Sequence, residues 1–436
     1  MTVEQILDQA KAYELASDWN QAFEWYHKAA DLNDPIGEYN LGWCYSNGKG
    51  VQQDWAMALA LFVKSAAKGN ASAQYNLGWC YENGKGTAQD WDNALKWYKK
   101  AAEQGNSSAQ YNLGWCYEQG NGTDQDLDQA FEWFRKAAIA GHPTAQCYLG
   151  LYYDVRQQLT EALIWYNKAA NSGHPTAQFN LGCCYANGEG VEQNWDEAVK
   201  WFKLAAEQGD ADSQCYLGMC YLNGDGISHS LDKAIEWYTK AAKQGHCTAQ
   251  FNLACCYDKN FNVESAITWY KSAAEQGNSA AQFNLGLCYF NGEGVDKDLS
   301  EALKWYQRAA EQGHSIAQCN LGLGYTNGDG VSKDWNAAVT WFKKAAEAGN
   351  AVAQCNLGLC YDNGMGVDKN LYEALNWYTK SAEQGHVTAQ YNLGCCYANG
   401  EGVEQDLNQA IAWFKKAAEQ GNEIAQKNLE QYLAQI

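Results

Sequence analysis

The sequence predicts an all-α protein, specifically an α/α solenoid of about twelve helix pairs with terminal capping helices. Three observations predict this fold. One short pattern, centred on a Leu-Gly pair, returns along almost the whole chain in steps of 36 residues, two of which shorten to 32. Every period contains two segments with helical spacing of apolar residues, and polar or glycine-rich stretches separate them. A fixed period of this length indicates units that pack on their neighbours.

The first helix of each period, helix A, contains the Leu-Gly pair, as in YNLGWCYENGKG at residues 75–86. Alanine five residues before the glycine, leucine one before it and tyrosine three after it lie on one side of a helix. We expect this side to face the second helix. Helix A should end at Asn-Gly-x-Gly, because glycine adopts the left-handed conformation that terminates helices. The reference position is occupied by Gly42, Gly78, Gly114, Gly150, Gly182, Gly218, Ala254, Gly286, Gly322, Gly358 and Gly394.

The second helix, helix B, contains an alanine followed three and four residues later by two aromatic residues, as in DWDNALKWYKKAAEQGN from Asp90 to Asn106. We expect these aromatics, including the tryptophans from Trp25 to Trp413, to form the core. Further tryptophans at the helix start should pack on the first turns of their own helix; they are Trp19, Trp55, Trp91, Trp195 and Trp335. All of the expected N-cap residues except Gln158 are favourable caps, whose side chains accept hydrogen bonds from the free amides at the start of helix B. The twelve expected N-cap residues are Asp18, Asp54, Asp90, Asp126, Gln158, Asn194, Ser230, Asn262, Asp298, Asp334, Asn370 and Asp406.

The repeats predict one continuous domain over residues 1–436. We interpret residues 1–36 as an amino-terminal capping helix pair, 37–424 as tandem repeats and 425–436 as a carboxy-terminal capping helix. The units that follow Gly150 and Ala254 lack the Asn-Gly-x-Gly loop. Each of these two units makes either a tighter turn with no further role or a local change of curvature that shapes a binding edge.

Composition and charge exclude several classes of partner. Asp and Glu number 51 against 31 Lys and Arg, a net charge of −20 that repels nucleic acid and anionic lipid surfaces. The amino terminus lacks the positive charge of a signal peptide, and no apolar run is long enough to cross a bilayer. The sequence therefore predicts a soluble cytoplasmic protein with no nucleic-acid partner and no membrane insertion.

Cysteine and histidine do not form a recognisable catalytic or metal site. All 17 cysteines except Cys247 fall at three repeated positions of helix A, about 8 to 10 Å apart between units, which is too far for disulfides. We expect reduced thiols that serve as small apolar side chains. Five histidines occupy the turn before helix A and should be solvated; they are His142, His174, His246, His314 and His386. The sequence predicts no catalytic residue, no metal site and no cofactor.

One side of helix A is left without an obvious packing role. The residues three and two before the Leu-Gly glycine and one after it point away from helix B, and in the first three full units they are tyrosine, asparagine and tryptophan. Two interpretations remain open: the rings bind an extended peptide in a groove, or they pack between successive A helices that the asparagines cross-link. The candidate groove residues are Tyr39, Asn40, Trp43, Tyr75, Asn76, Trp79, Tyr111, Asn112 and Trp115.

The complete pattern, read from Ala281 to Gly313 as AQFNLGLCYFNGEGVDKDLSEALKWYQRAAEQG, resembles the Sel-1-like repeat, a relative of the tetratricopeptide repeat. The resemblance covers almost the whole chain. It implies antiparallel helix pairs that curl into a superhelix with helix A on the concave side. It also implies an adaptor role, since members of this family assemble protein complexes, regulate signalling or mediate contacts between bacteria and host cells.

We therefore predict a non-enzymatic scaffold or adaptor that binds a partner protein or extended peptide in its concave groove. A basic or apolar-aromatic segment fits the acidic, ring-lined wall best. The alternatives are a bacterial effector or host-interaction protein of the same fold, or a carbohydrate-binding or enzymatic role.

Overall fold

The computed structural model describes residues 1–434, and every regular element in that part of the chain is an α-helix, as predicted. Even-numbered helices are B helices, and odd-numbered helices from α3 to α23 are A helices. In chain order they are α1 (Val3–Leu15), α2 (Trp19–Asp31), α3 (Pro35–Asn47), α4 (Trp55–Ala67), α5 (Ala71–Asn83), α6 (Trp91–Glu103), α7 (Ser107–Gln119), α8 (Leu127–Ile139), α9 (Pro143–Val155), α10 (Leu159–Asn171), α11 (Pro175–Asn187), α12 (Trp195–Glu207), α13 (Ala211–Asn223), α14 (Leu231–Lys243), α15 (Cys247–Lys259), α16 (Val263–Glu275), α17 (Ser279–Asn291), α18 (Leu299–Glu311), α19 (Ser315–Asn327), α20 (Trp335–Glu347), α21 (Ala351–Asn363), α22 (Leu371–Glu383), α23 (Val387–Asn399), α24 (Leu407–Glu419) and α25 (Glu423–Leu433).

The helices form two compact units. The first, Met1–His229, contains α1 to α13, and the second begins at Ser230 and contains α14 to α25. Within each unit a helix packs mainly on the helix before it and the helix after it, which is the arrangement of an α/α solenoid. The division into caps at residues 1–36 and 425–436 and repeats at 37–424 stays a prediction, and its last two residues lie outside the described part.

The predicted starts of the B helices are confirmed. The Asp90 carboxylate, for example, accepts a hydrogen bond from the Asn93 amide at 3.0 Å, and this bond holds the pKa of the Asp90 carboxyl below its usual value. Gln158 makes no side-chain cap bond in the described part of the chain. The two short units make the tight turn through left-handed backbone at Gln157, with φ 60°, and Phe261, with φ 57°. Their proposed effect on curvature stays a prediction.

The Leu-Gly glycine is where helix A approaches helix B most closely. A Cβ atom on Gly78 would lie 2.7 Å from the ring of Tyr98, and the equivalent glycines meet the equivalent rings of their own repeats. The fully buried aromatic of helix B is therefore the residue after the tryptophan. The prediction that the helix B tryptophans form the core is confirmed in part: Trp305 and Trp377 are buried, whereas Trp97 and most of its equivalents are half-buried and pack against the buried clusters from one side. The Lys100 ammonium covers the Trp97 ring at 4.4 Å.

The second glycine of the Asn-Gly-x-Gly loop sets the contact between repeats, a role that the sequence did not reveal. A Cβ atom on Gly86 would lie 2.3 Å from the carbonyl oxygen of Trp55, the first residue of the preceding B helix. Gly86 also has φ 74°. Only a residue without a side chain allows this approach, so the loop fixes how closely one repeat sits on the one before it.

A row of buried glutamines, four residues before the reference position, joins several A helices to the B helices on both sides. Gln354 donates from Nε2 to the Ala346 carbonyl at 3.1 Å, and its Oε1 accepts from Gln384 Nε2 at 2.7 Å. Such glutamine pairs recur in both units, at 2.6 to 2.8 Å. In the first repeat, Glu38 and Lys68 form an ion pair at 2.6 Å in the same place.

The glutamine row is interrupted where the second partner is missing. Ala140, Ser172 and Ala348 stand at the helix B terminus where other repeats have glutamine. The opposing acceptors, Oε1 of Gln110, Gln146 and Gln318, are buried and have no hydrogen-bond partner among residues 1–434. A buried amide oxygen without a donor is destabilising, so these three sites are local weak points of the stack.

The prediction that the turn histidines are solvated is wrong. His142, His174, His246, His314 and His386 are N-caps of A helices, and each accepts a backbone N–H at Nδ1. The bond is 3.3 Å long at His386. Burial lowers the pKa of four of these imidazoles, those at positions 142, 174, 314 and 386, below the ordinary value of 6.5. The folded state therefore favours neutral imidazole, so its stability is complete above pH 6.5 and falls as the pH drops toward the lowered pKa.

Candidate functional site

The nine residues proposed as a groove lie on α3, α5 and α7 of the first unit. Their side chains are all partly exposed, neither sealed in the core nor free in solvent; they are Tyr39, Asn40, Trp43, Tyr75, Asn76, Trp79, Tyr111, Asn112 and Trp115. We call the surface formed by these positions on successive A helices the A face.

Each A-face tryptophan packs on the tryptophan that begins the preceding B helix. The ring centroids are 5.4 Å apart for Trp43 and Trp19, and 5.7 Å apart for Trp79 and Trp55. Trp115 and Trp91 repeat the arrangement at 5.7 Å. Trp19, Trp55 and Trp91 thus also pack on the next repeat, a contact that the sequence analysis did not predict. The expected packing of the five helix B tryptophans on their own first turns stays a prediction. One face of each A-face ring is supported from behind, which leaves the other side as the candidate contact surface.

The A-face tyrosines of α3 and α5 each lie between the core of their own repeat and an asparagine of the next A helix. The Tyr75 ring, for example, lies 5.9 Å from the buried Tyr98 ring of the same repeat. Burial raises the pKa of the Tyr39 and Tyr75 hydroxyls, and the side chains of Asn76 and Asn112, each from the next A helix, oppose this rise. Asn76 and Asn112, two of the asparagines in the second interpretation, therefore lie beside rings that remain partly exposed, and their cross-linking role stays a prediction.

Four of the nine residues surround one pocket of about 200 Å³ between α3 and α5. Trp43 comes from one repeat, and Tyr75, Asn76 and Trp79 come from the next. The floor and rim are completed by Trp55, Phe62, Ser46 and Asn47. The other five predicted residues do not line this pocket; they are Tyr39, Asn40, Tyr111, Asn112 and Trp115.

A further pair of residues shows why the third repeat differs. The Tyr111 ring stacks on the imidazole of His142, with centroids 4.7 Å apart and planes inclined by 13°. The equivalent N-caps of the two preceding A helices are asparagines, Asn70 and Asn106. Tyr111 is therefore covered by a neighbouring ring in a way that Tyr75 is not.

A sequence model of the Sel1 repeat matches twelve successive segments of the chain: residues 18–34, 35–70, 71–106, 107–142, 143–174, 175–210, 211–246, 248–278, 279–314, 315–350, 351–386 and 387–422. The chain belongs to the Sel1 repeat family. Sel1 repeats generally form non-catalytic scaffolds for protein interaction.

Solved structures of Sel1 proteins have the same fold. A protective antigen of uropathogenic Escherichia coli that displays an SLR fold is 36% identical, with a TM-score of 0.85 over 95% of this chain and 91% of that protein. A Sel1 repeat protein from Oxalobacter formigenes is 35% identical, with a TM-score of 0.53 over 69% of this chain and 89% of its own. A comparison with curated protein sequences gives no match.

Two lysines from the Sel1 loops lie beside the A-face tryptophan pairs, and the sequence analysis missed them. The Lys49 ammonium is 5.4 Å from the Trp19 ring centroid, and the Lys85 ammonium is 5.9 Å from that of Trp55. Each lysine is the x of an Asn-Gly-x-Gly loop, so its spacing from the tryptophan was available in the sequence. Each lysine ammonium therefore occupies the position above the Trp19 or Trp55 ring where the cation of a basic ligand would bind.

The cysteines of the Sel1 repeats are free and mostly buried. Burial raises the pKa of the Cys80 thiol to about 12, which keeps it protonated and unreactive near neutral pH. The Cys247 thiol donates to the Ala273 carbonyl at 3.7 Å. Within residues 1–434, no three metal-binding side chains cluster, and no helix has the length and apolar character to span a bilayer.

Proposed function

We propose that this chain is a non-enzymatic scaffold whose first unit binds an extended, apolar-aromatic segment of a partner protein. The observation that carries the proposal is the pocket of about 200 Å³ in which Trp43, Tyr75, Asn76 and Trp79 meet across two repeats. Aromatic rings supply large contact areas with few rotatable bonds, and tryptophan and tyrosine are enriched at the energetic centres of interfaces.

The support behind the rings favours binding. Trp79 rests on Trp55, and Trp43 rests on Trp19, so both rings are held in place before a ligand arrives. Binding then loses little side-chain entropy, because that freedom was lost on folding. Ser46 and Asn47 bond to the Trp43 carbonyl at 2.9 Å, which fixes the polar rim of the pocket as well.

The lysines favour an apolar-aromatic segment over a basic one. Lys85 already lies near the Trp55 ring, and a peptide lysine would be repelled by its charge. An aromatic or aliphatic side chain meets no such penalty. The net charge of −20 alone would favour a basic segment. The lysines beside the tryptophan rings restrict the proposal to an apolar-aromatic segment.

A peptide selection tests the proposal. A random peptide library displayed on phage is selected on the whole chain, and the dissociation constants of the recovered peptides are measured by calorimetry. Trp79→Leu should weaken binding by about tenfold or more, the effect of losing one anchoring ring. Leucine is the natural residue at this position in α17, α19 and α21, so the fold tolerates it.

Trp165→Leu is the matched control. Trp165 is also half-buried and lies under Lys168, but it is on α10 of the same unit and packs on a buried cluster that contains no residue of the pocket. The control should change the dissociation constant by less than about twofold, which is within the scatter expected for a site that shares no packing partner with the pocket. Equal losses in the two variants, or none in Trp79→Leu, would show that the A-face rings serve packing alone.

A second candidate, a surface protein that contacts a host, has one supporting observation. The similar protein of uropathogenic Escherichia coli is a protective antigen. Against this, 17 free cysteines suit a reducing compartment, and we propose the cytoplasm. Antibodies raised against the chain should bind lysed cells and not intact cells; binding to intact cells would favour the host-contact role instead.

A further inference from the structure

A second pocket lies in the second unit at the same positions of the repeat as the first. It has a volume of about 280 Å³ and lies between α17 and α19, above the start of α18. Leu287, Leu299 and Leu323 occupy the positions that Trp43, Trp55 and Trp79 occupy in the first pocket. The same architecture thus holds an aromatic pocket in one unit and an aliphatic pocket in the other.

The first chain-specific feature of this pocket is Phe290. The residues four places after the reference position are of two kinds in the other repeats. Some are carboxylates that accept a hydrogen bond from the buried helix B tyrosine, as Glu82, Asp154, Asp258 and Asp362 do, and others are uncharged, namely Ser46, Ala186, Leu222, Thr326 and Ala398. Glu82 accepts from the Tyr98 hydroxyl in this way. Asp362 accepts from Tyr378 at 3.4 Å. Phe290 instead places its ring 6.5 Å from Tyr306, so the pocket contains a phenyl ring where those repeats contain a negative charge.

The second chain-specific feature is Gly324. Two residues after the reference position, every other repeat has cysteine except the one with Tyr152. A Cβ atom on Gly324 would lie 2.5 Å from a methyl carbon of Leu303, which lines the same pocket. Glycine therefore leaves Leu303 room to lie against α19. A cysteine there would force the Leu303 side chain, and with it one wall of the pocket, to shift.

We infer that this pocket binds the side chain of a leucine, isoleucine or methionine from an extended segment of a partner protein. Its volume of about 280 Å³ lies just below the roughly 300–1,000 Å³ of sites for drug-sized molecules, which suits a single side chain. Four leucines and Phe290 supply an apolar lining. Both features act together, since Phe290 adds an apolar ring to the lining and Gly324 leaves out a side chain.

Polar groups at the pocket define what can flank the bound side chain. The Tyr306 hydroxyl has its pKa raised to about 12 by burial, with the Asn320 side chain opposing, so it remains a neutral phenol. Asn327 donates to the Asp329 carboxylate at 3.0 Å at the rim. The segment should carry no acidic residue next to its aliphatic one, because Asp329 and the net charge of −20 would repel it.

The test uses a chain in which the first pocket is altered by Trp79→Leu, so that the two sites are separated. A random peptide library on phage is selected on this chain, and peptides that also bind the Trp79→Leu, Phe290→Glu double variant are removed. The surviving peptides should share a leucine, isoleucine or methionine whose replacement by alanine weakens binding by about tenfold or more. Added peptide should shift the methyl NMR signals of Leu303 and Leu323.

Two substitutions taken from other repeats of this chain test the pocket itself. Phe290→Glu restores the carboxylate found at Glu82, and Gly324→Cys restores the usual cysteine. Each should weaken peptide binding by about tenfold or more, and thermal unfolding confirms that the variants fold. Ile316→Glu is the control, because it adds the same charge at an exposed apolar residue of α19 outside the pocket.

Three results would overturn the inference: no surviving peptide, survivors that share no aliphatic residue, or methyl shifts that leave Leu303 and Leu323 unchanged. None of these results depends on the first pocket, since the selected chain already carries Trp79→Leu. Conversely, peptides recovered on the unaltered chain, with no survivor on the Trp79→Leu chain, would support the proposed function and reject the second site.

Discussion

Completing the glutamine row should stabilise the second unit. Oε1 of Gln318 is buried without a partner among the described residues, and Ala348 stands where Gln384 stands in the next repeat. An unsatisfied buried acceptor costs about 1–3 kcal/mol, and ordering a new glutamine side chain offsets part of that gain, up to about 1.5–2 kcal/mol. Ala348→Gln should therefore raise the free energy of unfolding by about 1 kcal/mol. Gln384→Ala, the reverse change one repeat later, should lower it by about 1–2 kcal/mol.

Native-state hydrogen exchange is the appropriate assay, because unfolding of a long repeat array need not be two-state. The amides of α19 and α20 should exchange about fivefold more slowly in Ala348→Gln, the factor that corresponds to about 1 kcal/mol. Ala348→Met is the control, since methionine has similar length and no donor. If the methionine variant gains as much protection as the glutamine variant, the gain comes from apolar packing and the hydrogen-bond argument is refuted.

Three further predictions concern pH, glycine and the core. His386→Asn should keep the helix cap, as asparagine does in other repeats. The free energy of unfolding, measured with urea, should then fall less between pH 7 and pH 5 than in the unaltered chain. An unchanged fall would exclude the His386 cap as a source of the pH dependence. Gly105→Ala should lower the free energy of unfolding by roughly 1–2 kcal/mol, the cost of left-handed backbone in alanine. Gly86→Ala should lower it by clearly more, because the added Cβ also meets a backbone oxygen, which Gly105 does not face. Equal urea midpoints for those two variants would contradict this. Phe134→Ala should cost about 3–5 kcal/mol and Trp133→Ala less than about 2 kcal/mol in urea unfolding, since only Phe134 is sealed in the core; the opposite order would restore tryptophan as the core residue.

Local signals in the sequence predicted the helices well, because each signal acts through nearby backbone. The side-chain acceptors that begin the B helices and the glycines that end most A helices lie within a few residues of the groups they satisfy. Burial of adjacent aromatics was not predictable in the same way. Trp97 and Tyr98 are about 100° apart on helix B, and either could face the core on spacing alone. The structure selects Tyr98 because its ring fits against Gly78, while Trp97 is covered by Lys100.

The candidate site was predictable in part. Helical geometry placed Tyr75, Asn76 and Trp79 on one side of α5, and that placement agrees with the structure. The partners across repeats were not predictable, because they depend on how closely neighbouring pairs approach. That approach is set by the contact of Gly86 with the Trp55 carbonyl, a distance that no local pattern encodes. The pocket and the ring support from Trp55 follow from this one contact.

Constant and variable positions of the repeat therefore have different consequences. The Leu-Gly glycine, the buried glutamine and the second loop glycine recur in most repeats, where they hold neighbouring repeats in one register. In both pockets the residue after the Leu-Gly glycine faces the cleft, and its identity decides what that cleft can bind. Trp79 makes the cleft aromatic, whereas Leu323 with Gly324 makes it aliphatic. Exchanging all three equivalent pairs, Trp43 with Leu287, Trp55 with Leu299 and Trp79 with Leu323, should exchange these preferences if register alone positions the site, and peptide selection on the exchanged chain measures this directly.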